Sequence, residues 1–177
     1  STSEDPTITA GTRTVTWAVT DANSDGVGAG TSTAVTSTIN ITPINDPPVM
    51  TAGGSLSYTE NSSPAAIDNT ITITDDDDIQ INGATATISS SFTTGDVLTL
   101  TTQLGISGTY DNSTGVLTIT GTASLSDYKT ALQSITYHST SEDPTITAGT
   151  RTVTWAVTDA NSDGVGAGTS TAVTSTI

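Results

Sequence analysis

Thr152-Val153-Thr154-Trp155-Ala156-Val157-Thr158-Asp159 is the stretch that decides the fold. Val153, Trp155 and Val157 alternate with threonine and alanine, the period of two expected of a strand with one buried face. The same alternation recurs at Ile71 and Ile73, at Ala84, Ala86 and Ile88, at Leu98 and Leu100, and at Leu117 and Ile119. Between two of these runs, Tyr110-Asp111-Asn112-Ser113-Thr114-Gly115 reads as a hairpin turn. One segment departs from period two. Leu125, Tyr128 and Leu132 stand at helical spacing behind Ser124, a good N-cap. Many short strands with one brief helix predict an all-β Greek-key sandwich.

The deciding stretch occurs twice. Residues 1–39 reappear without a change at 139–177, so the chain holds one full period of 138 residues and part of another. Such identity points to recent duplication in a tandem array, and the phase of the sequence reads as a window on a longer one. Thr42-Pro43-Ile44-Asn45-Asp46-Pro47-Pro48 is the proline-dense stretch. Proline removes ladder donors and stiffens the backbone, so this stretch is expected to link domains. The expected division is residues 1–43 as the C-terminal part of one repeat, 44–48 as linker, and 49–177 as a nearly complete repeat.

Composition narrows the function. Eighteen acids against three bases give a net charge of −15, which disfavours nucleic acid and anionic lipid as partners. No cysteine is present and His138 is the single histidine, so thiolate chemistry and histidine-rich metal sites are excluded. No apolar run approaches the length that spans a bilayer. Threonine, about a quarter of the chain, favours β-structure and suits an exported, protease-exposed surface. Trp17 and Trp155 alternate with valines and are expected in a core rather than as sugar-stacking platforms. No pair of acids sits in a glycosidase-like motif, and an enzyme is not expected.

The acids are grouped. Asp75 to Asp78 follow a strand directly, Glu60 lies just after the linker, Glu142 (copied at Glu4) follows the helix, and Asn45 and Asp46 occupy the linker itself. Four adjacent carboxylates repel one another unless a cation or solvent screens them. Hard oxygen donors without histidine or cysteine suit Ca2+ above Mg2+. A solvated acidic surface is the plainer alternative. A second candidate is Asp159-Ala160-Asn161-Ser162-Asp163-Gly164, copied from Asp21 to Gly26, which matches the opening of a calcium loop. Ser170 stands where such a loop would close with glutamate, so an Asx-rich hairpin loop is the competing reading.

Taken together, Thr59-Glu60-Asn61, the aspartate run at 75–78, Ser141-Glu142-Asp143-Pro144, the strand at 153–159 and Ile44-Asn45-Asp46-Pro47-Pro48 make the chain resemble a cadherin-type repeat. More closely, it resembles the bacterial cadherin-like tandem repeats of giant RTX-type, type I-secreted, calcium-dependent surface adhesins. The resemblance implies a cadherin/Ig-like sandwich with calcium at each junction between repeats. Carried over, Glu4 and Asp21 would share ions with Asn45, Asp46, Glu60, Asp75 and Asp77. Glu142 and Asp159 would do so at the next junction. Pro43 and Pro47 replace two ligand positions of the animal cadherin linker, which implies one or two ions per junction rather than three.

The expected function is therefore a structural extender of a large extracellular adhesin or surface filament, stiffened by calcium, its partners the neighbouring repeats and possibly like filaments. Two alternatives follow from the same residues. One is a filament subunit that exchanges its duplicated segment between chains; the other is a module that binds sugar or protein directly.

Overall fold

The computed structural model describes residues 11–146, 149–162 and 164–177. The chain divides into two compact units, 1–44 and 45–177. In the first, β1 (Thr12–Trp17) and β2 (Val35–Asn40) form an antiparallel hairpin, Thr12 opposite Asn40 and Trp17 opposite Val35.

The second unit carries β3 (Val49–Thr51), β4 (Ala65–Ala66), β5 (Thr72–Thr74), β6 (Gln80–Ser90), β7 (Asp96–Thr99), β8 (Ser107–Asp111) and β9 (Val116–Ser124). Then come α1 (Leu125–Gln133), β10 (Thr136–Ser139), β11 (Thr152–Asp159) and β12 (Val173–Thr176). The larger sheet has the order β12-β11-β6-β9-β8; β4-β10-β7 and β3-β5 form smaller ones. All these strand pairs are antiparallel. The unit is an all-β sandwich with one short helix, as the alternating sequence predicts. One core joins its sheets. Val153, Trp155 and Val157 of β11 are sealed in it with Ile81, Ala86 and Ile88 of β6, Leu117 and Ile119 of β9, and Tyr137 of β10.

The helix forms where the capping signal places it. Ser124 Oγ accepts the Asp127 N–H at 3.1 Å, Asp127 lies in the first turn, and Tyr128, Ala131 and Leu132 are buried. A carboxylate there favours the helix dipole as well. Lys129 is exposed.

Two buried polar groups tie the ends of β11 and β12 to the rest of the sandwich. Arg151 Nε donates to Asp96 Oδ2 at 2.9 Å and Arg151 Nη2 to Asp96 Oδ1 at 3.2 Å, while Tyr137 Oη donates to the same Oδ1 at 2.5 Å. Along β12, Trp155 Nε1 donates to Ser175 Oγ at 2.9 Å, and Ser175 Oγ donates to Asp68 Oδ2 at 2.5 Å. Asp68 also accepts the N–H groups of Gly53, Gly54 and Thr70. Burial pushes the Asp68 carboxyl up, but the hydroxyls of Ser175 and Thr70 and the N–H groups of Gly53 and Thr70 outweigh it and hold it far below the carboxylate range.

The tryptophans differ. Trp155 is fully buried, as the sequence predicts, whereas Trp17 is 56% exposed. The expectation of a core residue fails at Trp17 because the hairpin of the first unit has no opposing sheet among the described residues.

Candidate metal centre

The acidic site of the second unit lies at one end of β11, beside the linker. Both register shifts of β6 near this end fall here: between Ile81 and Gly83 against β9, and between Thr158 and Asp159 of β11. An extra residue in a ladder turns the next side chain, so the shift at Asp159 re-aims the end of β11. Asp159 ends fully buried rather than in solvent, an unusual place for a carboxylate.

Three carboxylates converge. One oxygen each from Asp75, Asp78 and Asp159 lie within 4.8 Å of one another. Asp78 and Asp159 are buried, and Asp75 is half-buried. Asp75 Oδ1 accepts the N–H groups of Asp77 at 3.2 Å and Asp78 at 3.0 Å, which curls the aspartate run into an Asx turn. Asp78 Oδ1 accepts from the N–H and the hydroxyl of Ser162. Asp75 Oδ2 and Asp77 Oδ1 are buried with no hydrogen-bond partner. Burial drives the Asp75 carboxyl up to about 6, and the neighbouring Asp77 carboxyl adds to it against the N–H bonds of Asp78 and Asp77.

The linker enters the same cluster. Asp46 N–H donates to Asp77 Oδ2 at 2.8 Å. One end of the Asn45 amide lies 3.4 Å from Asp159 Oδ2, and the other faces Gly166 O at 2.6 Å and Asp78 Oδ2 at 3.3 Å. Gly168 makes this approach possible: a Cβ there would stand 2.8 Å from Asn45 Nδ2 and 3.0 Å from Pro47. With nitrogen facing Gly166 and Asp78, the amide donates to both. The donor set is all oxygen and strongly anionic, and this group of acids could hold a metal ion.

The sequence candidates distribute as follows. Asp75, Asp77, Asp159, Asn45 and Asp46 come together here. Asp78, the most buried aspartate of its run, belongs with them although the sequence reading passed over it. The i to i+3 reach of an Asx turn from Asp75 is the signal that would have found it. Glu60 is exposed in a turn and Glu142 is exposed after β10; neither joins the group. Asn161 Oδ1 accepts the Gly166 N–H at 2.6 Å, and Asp159 Oδ2 accepts the Gly168 N–H at 2.6 Å, so this loop closes on its own backbone. Asp21 lies in the first unit, where its carboxylate accepts the N–H groups of Asn23 and Gly30, each at 3.0 Å, and is lowered by them. Glu4 and Asp163 lie outside the described residues.

Among the described residues, no helix is long and apolar enough to cross a membrane. No family model matches the chain, and no solved structure does. The chain is similar to halomucin of Haloquadratum walsbyi, 35% identical over 108 residues. That similarity covers 58% of this chain and 1% of halomucin, so the chain spans about a hundredth of its relative.

Proposed function

We propose that the chain is a structural extender of a large extracellular surface protein, and that Ca2+ locks its linker to the following sandwich. The observation that carries this reading is the grip of Asp75, Asp77, Asp78 and Asp159 on Asn45 and Asp46, with two carboxylate oxygens buried and unpartnered. Buried carboxylate oxygens without donors are expensive to leave so, and a divalent cation satisfies several at once. Calcium fits better than magnesium because it takes six to eight oxygens in a loose geometry. Once neutralised, the cluster would hold the linker in one direction, and linker direction sets how successive sandwiches line up.

The sandwich itself suits a place in a row. Asn45 and Pro47 pack against Gly168 beside Asp159, while Ile177 exchanges backbone bonds with Arg151 at the start of β11. The two therefore sit at opposite ends of one strand of eight residues, roughly 25 Å apart. Similarity to a relative of such length supports a repeat of a large surface protein, and the reading includes no catalysis.

Thermal unfolding of the chain in calcium and in excess chelator tests the proposal. Calcium at about 100 times its dissociation constant should add about 2.7 kcal/mol, which for a domain of this size raises Tm by roughly 10 °C. The D75N/D78N double variant should lose that response. A Tm that chelator leaves unmoved would sink the reading.

A further inference from the structure

The segment by which the chain enters the sandwich and the strand by which it leaves lie side by side. Both run away from the linker end, and Ser55 bridges Thr176 in parallel. Thr176 N–H donates to Gly54 O at 3.1 Å, and Leu56 N–H donates to Thr176 O at 2.9 Å. The Thr176 hydroxyl donates to Ser55 Oγ at 3.0 Å. Between the two stands Asp68, buried at 2% exposure. Its Oδ2 accepts the Gly53 N–H at 3.0 Å and the Gly54 N–H at 2.7 Å from the entering segment, and the Ser175 hydroxyl at 2.5 Å from β12. The N–H and hydroxyl of Thr70 fix Oδ1, at 2.7 and 2.6 Å. Only glycine allows so close an approach: a Cβ on residue 54 would stand 2.5 Å from the carboxylate carbon.

An extender in a row of sandwiches carries tension, and the inference rests on that reading. Tension enters a repeat through its linker. It leaves past Ile177, because Thr36 to Ile39, the copy of Thr174 to Ile177, runs straight on into the proline-dense linker. The entering segment is then pulled toward one end of the sandwich and β12 toward the other. Parallel neighbours drawn in opposite directions are sheared along their length, so the bonds between them share the force and break together. A pair peeled from one end would instead open bond by bond. We propose that the Asp68 carboxylate is the latch that carries tension across the sandwich, joining the segment where force enters to the strand where it leaves. Its chemistry suits the task. Hydrogen bonds to an ionised group are roughly twice as strong as neutral ones, and burial keeps out the water that would compete for them. Trp155 Nε1 extends the tie from Ser175 to the central core at 2.9 Å. Asp68 lies outside the acidic cluster, so the latch acts with or without a cation at the linker.

The chain has no cysteine, so a thiol added at each end gives a single point of attachment. The full chain is held in magnetic tweezers at constant force in excess chelator, and the lifetime of the sandwich before it unfolds is recorded. Ser175→Ala should shorten that lifetime about tenfold, the loss of one bond to a charged group that is broken at the barrier. Asp68→Asn, which leaves the indole-to-serine bond in place, should shorten it at least as much; Ser175→Ala decides alone should Asp68→Asn not fold. Ile119→Val, a change in the buried core away from the latch, should shorten it less than threefold. Urea titration of each variant gives the stability lost, against which the lifetimes are compared. Ser175→Ala shortening the lifetime no more than Ile119→Val for the same loss in urea would overturn the latch, because Asp68 would then support the fold as any buried group does. So would a folded Asp68→Asn chain with the wild-type lifetime. A melting temperature that chelator leaves unmoved ends the calcium reading and leaves this comparison standing, so the two fail separately.

Discussion

The hairpins β1–β2 and β11–β12 have the same residues and the same internal bonds, but they live in different surroundings. In one, the tryptophan stands more than half in solvent; in the other it is sealed against β6. Strand pairing, the indole-to-serine bond and the closed Asx loop are therefore set by the hairpin's own sequence. Burial is set by what lies across from it. The difference separates two quantities that most proteins confound, the local preference of a segment and the energy it gains from packing.

The largest test of that separation is the tryptophan pair. Trp155→Ala empties the centre of the core and should destabilise the sandwich by about 4 kcal/mol in a urea titration, whereas Trp17→Ala should shift it by less than about 0.5 kcal/mol. Equal effects would mean that the first hairpin is packed as tightly as the second. Arg151 comes next. Arg151→Met removes the guanidinium that pairs with the buried Asp96 carboxylate, which also accepts from the Tyr137 hydroxyl and the Thr93 N–H, a loss of about 3 kcal/mol.

How much of this was legible depends on whether a residue's partner lies nearby in sequence. Val153, Trp155 and Val157 announce a buried strand by alternation alone, and Ser124 announces the helix behind it. The bulge between Ile81 and Gly83 did leave a mark, Asn82-Gly83 inside a strand pattern, but that dipeptide alone does not say whether the chain turns or bulges. Asp75 to Asp78 were visible as a cation-hungry run, but repulsion among neighbours says nothing of which members turn inward. That choice is made by Asp159 and by the linker, which meet the run only in the folded chain. Asp68 and Asp96 gave no signal at all. Each is a lone acid among neutral residues, and its decisive partner, Ser175 or Arg151, is 107 or 55 positions away. Glu60 and Glu142 were grouped with the acids by their place beside the linker and after the helix, and both stand in solvent outside the cluster.

The smallest contrast is the serine pair, and it carries a pH dependence. Ser37 Oγ accepts the Trp17 N–H in the first hairpin, while Ser175 Oγ accepts the Trp155 N–H and donates its own hydroxyl to Asp68. Ser175→Ala removes a buried bond to a charged group and should cost about 1.5 kcal/mol at neutral pH; Ser37→Ala should cost next to nothing. The sign with pH follows from Asp68, whose carboxyl is held below its ordinary 3.8 in the folded chain. Its contribution is complete above that value and is lost as pH falls toward the folded value, because the unfolded chain takes up the proton first. Without the Ser175 hydroxyl the folded carboxyl titrates closer to 3.8, so less stability remains to be lost in acid. The gap between wild type and Ser175→Ala should therefore narrow as pH falls below about 4, measured by urea midpoints at successive pH values. A gap that stayed constant into acid would assign the serine's effect to the tryptophan bond alone. Asp68 would then owe its charge to the N–H groups of Gly53, Gly54 and Thr70, and the hairpin would be held by packing without help from the buried carboxylate.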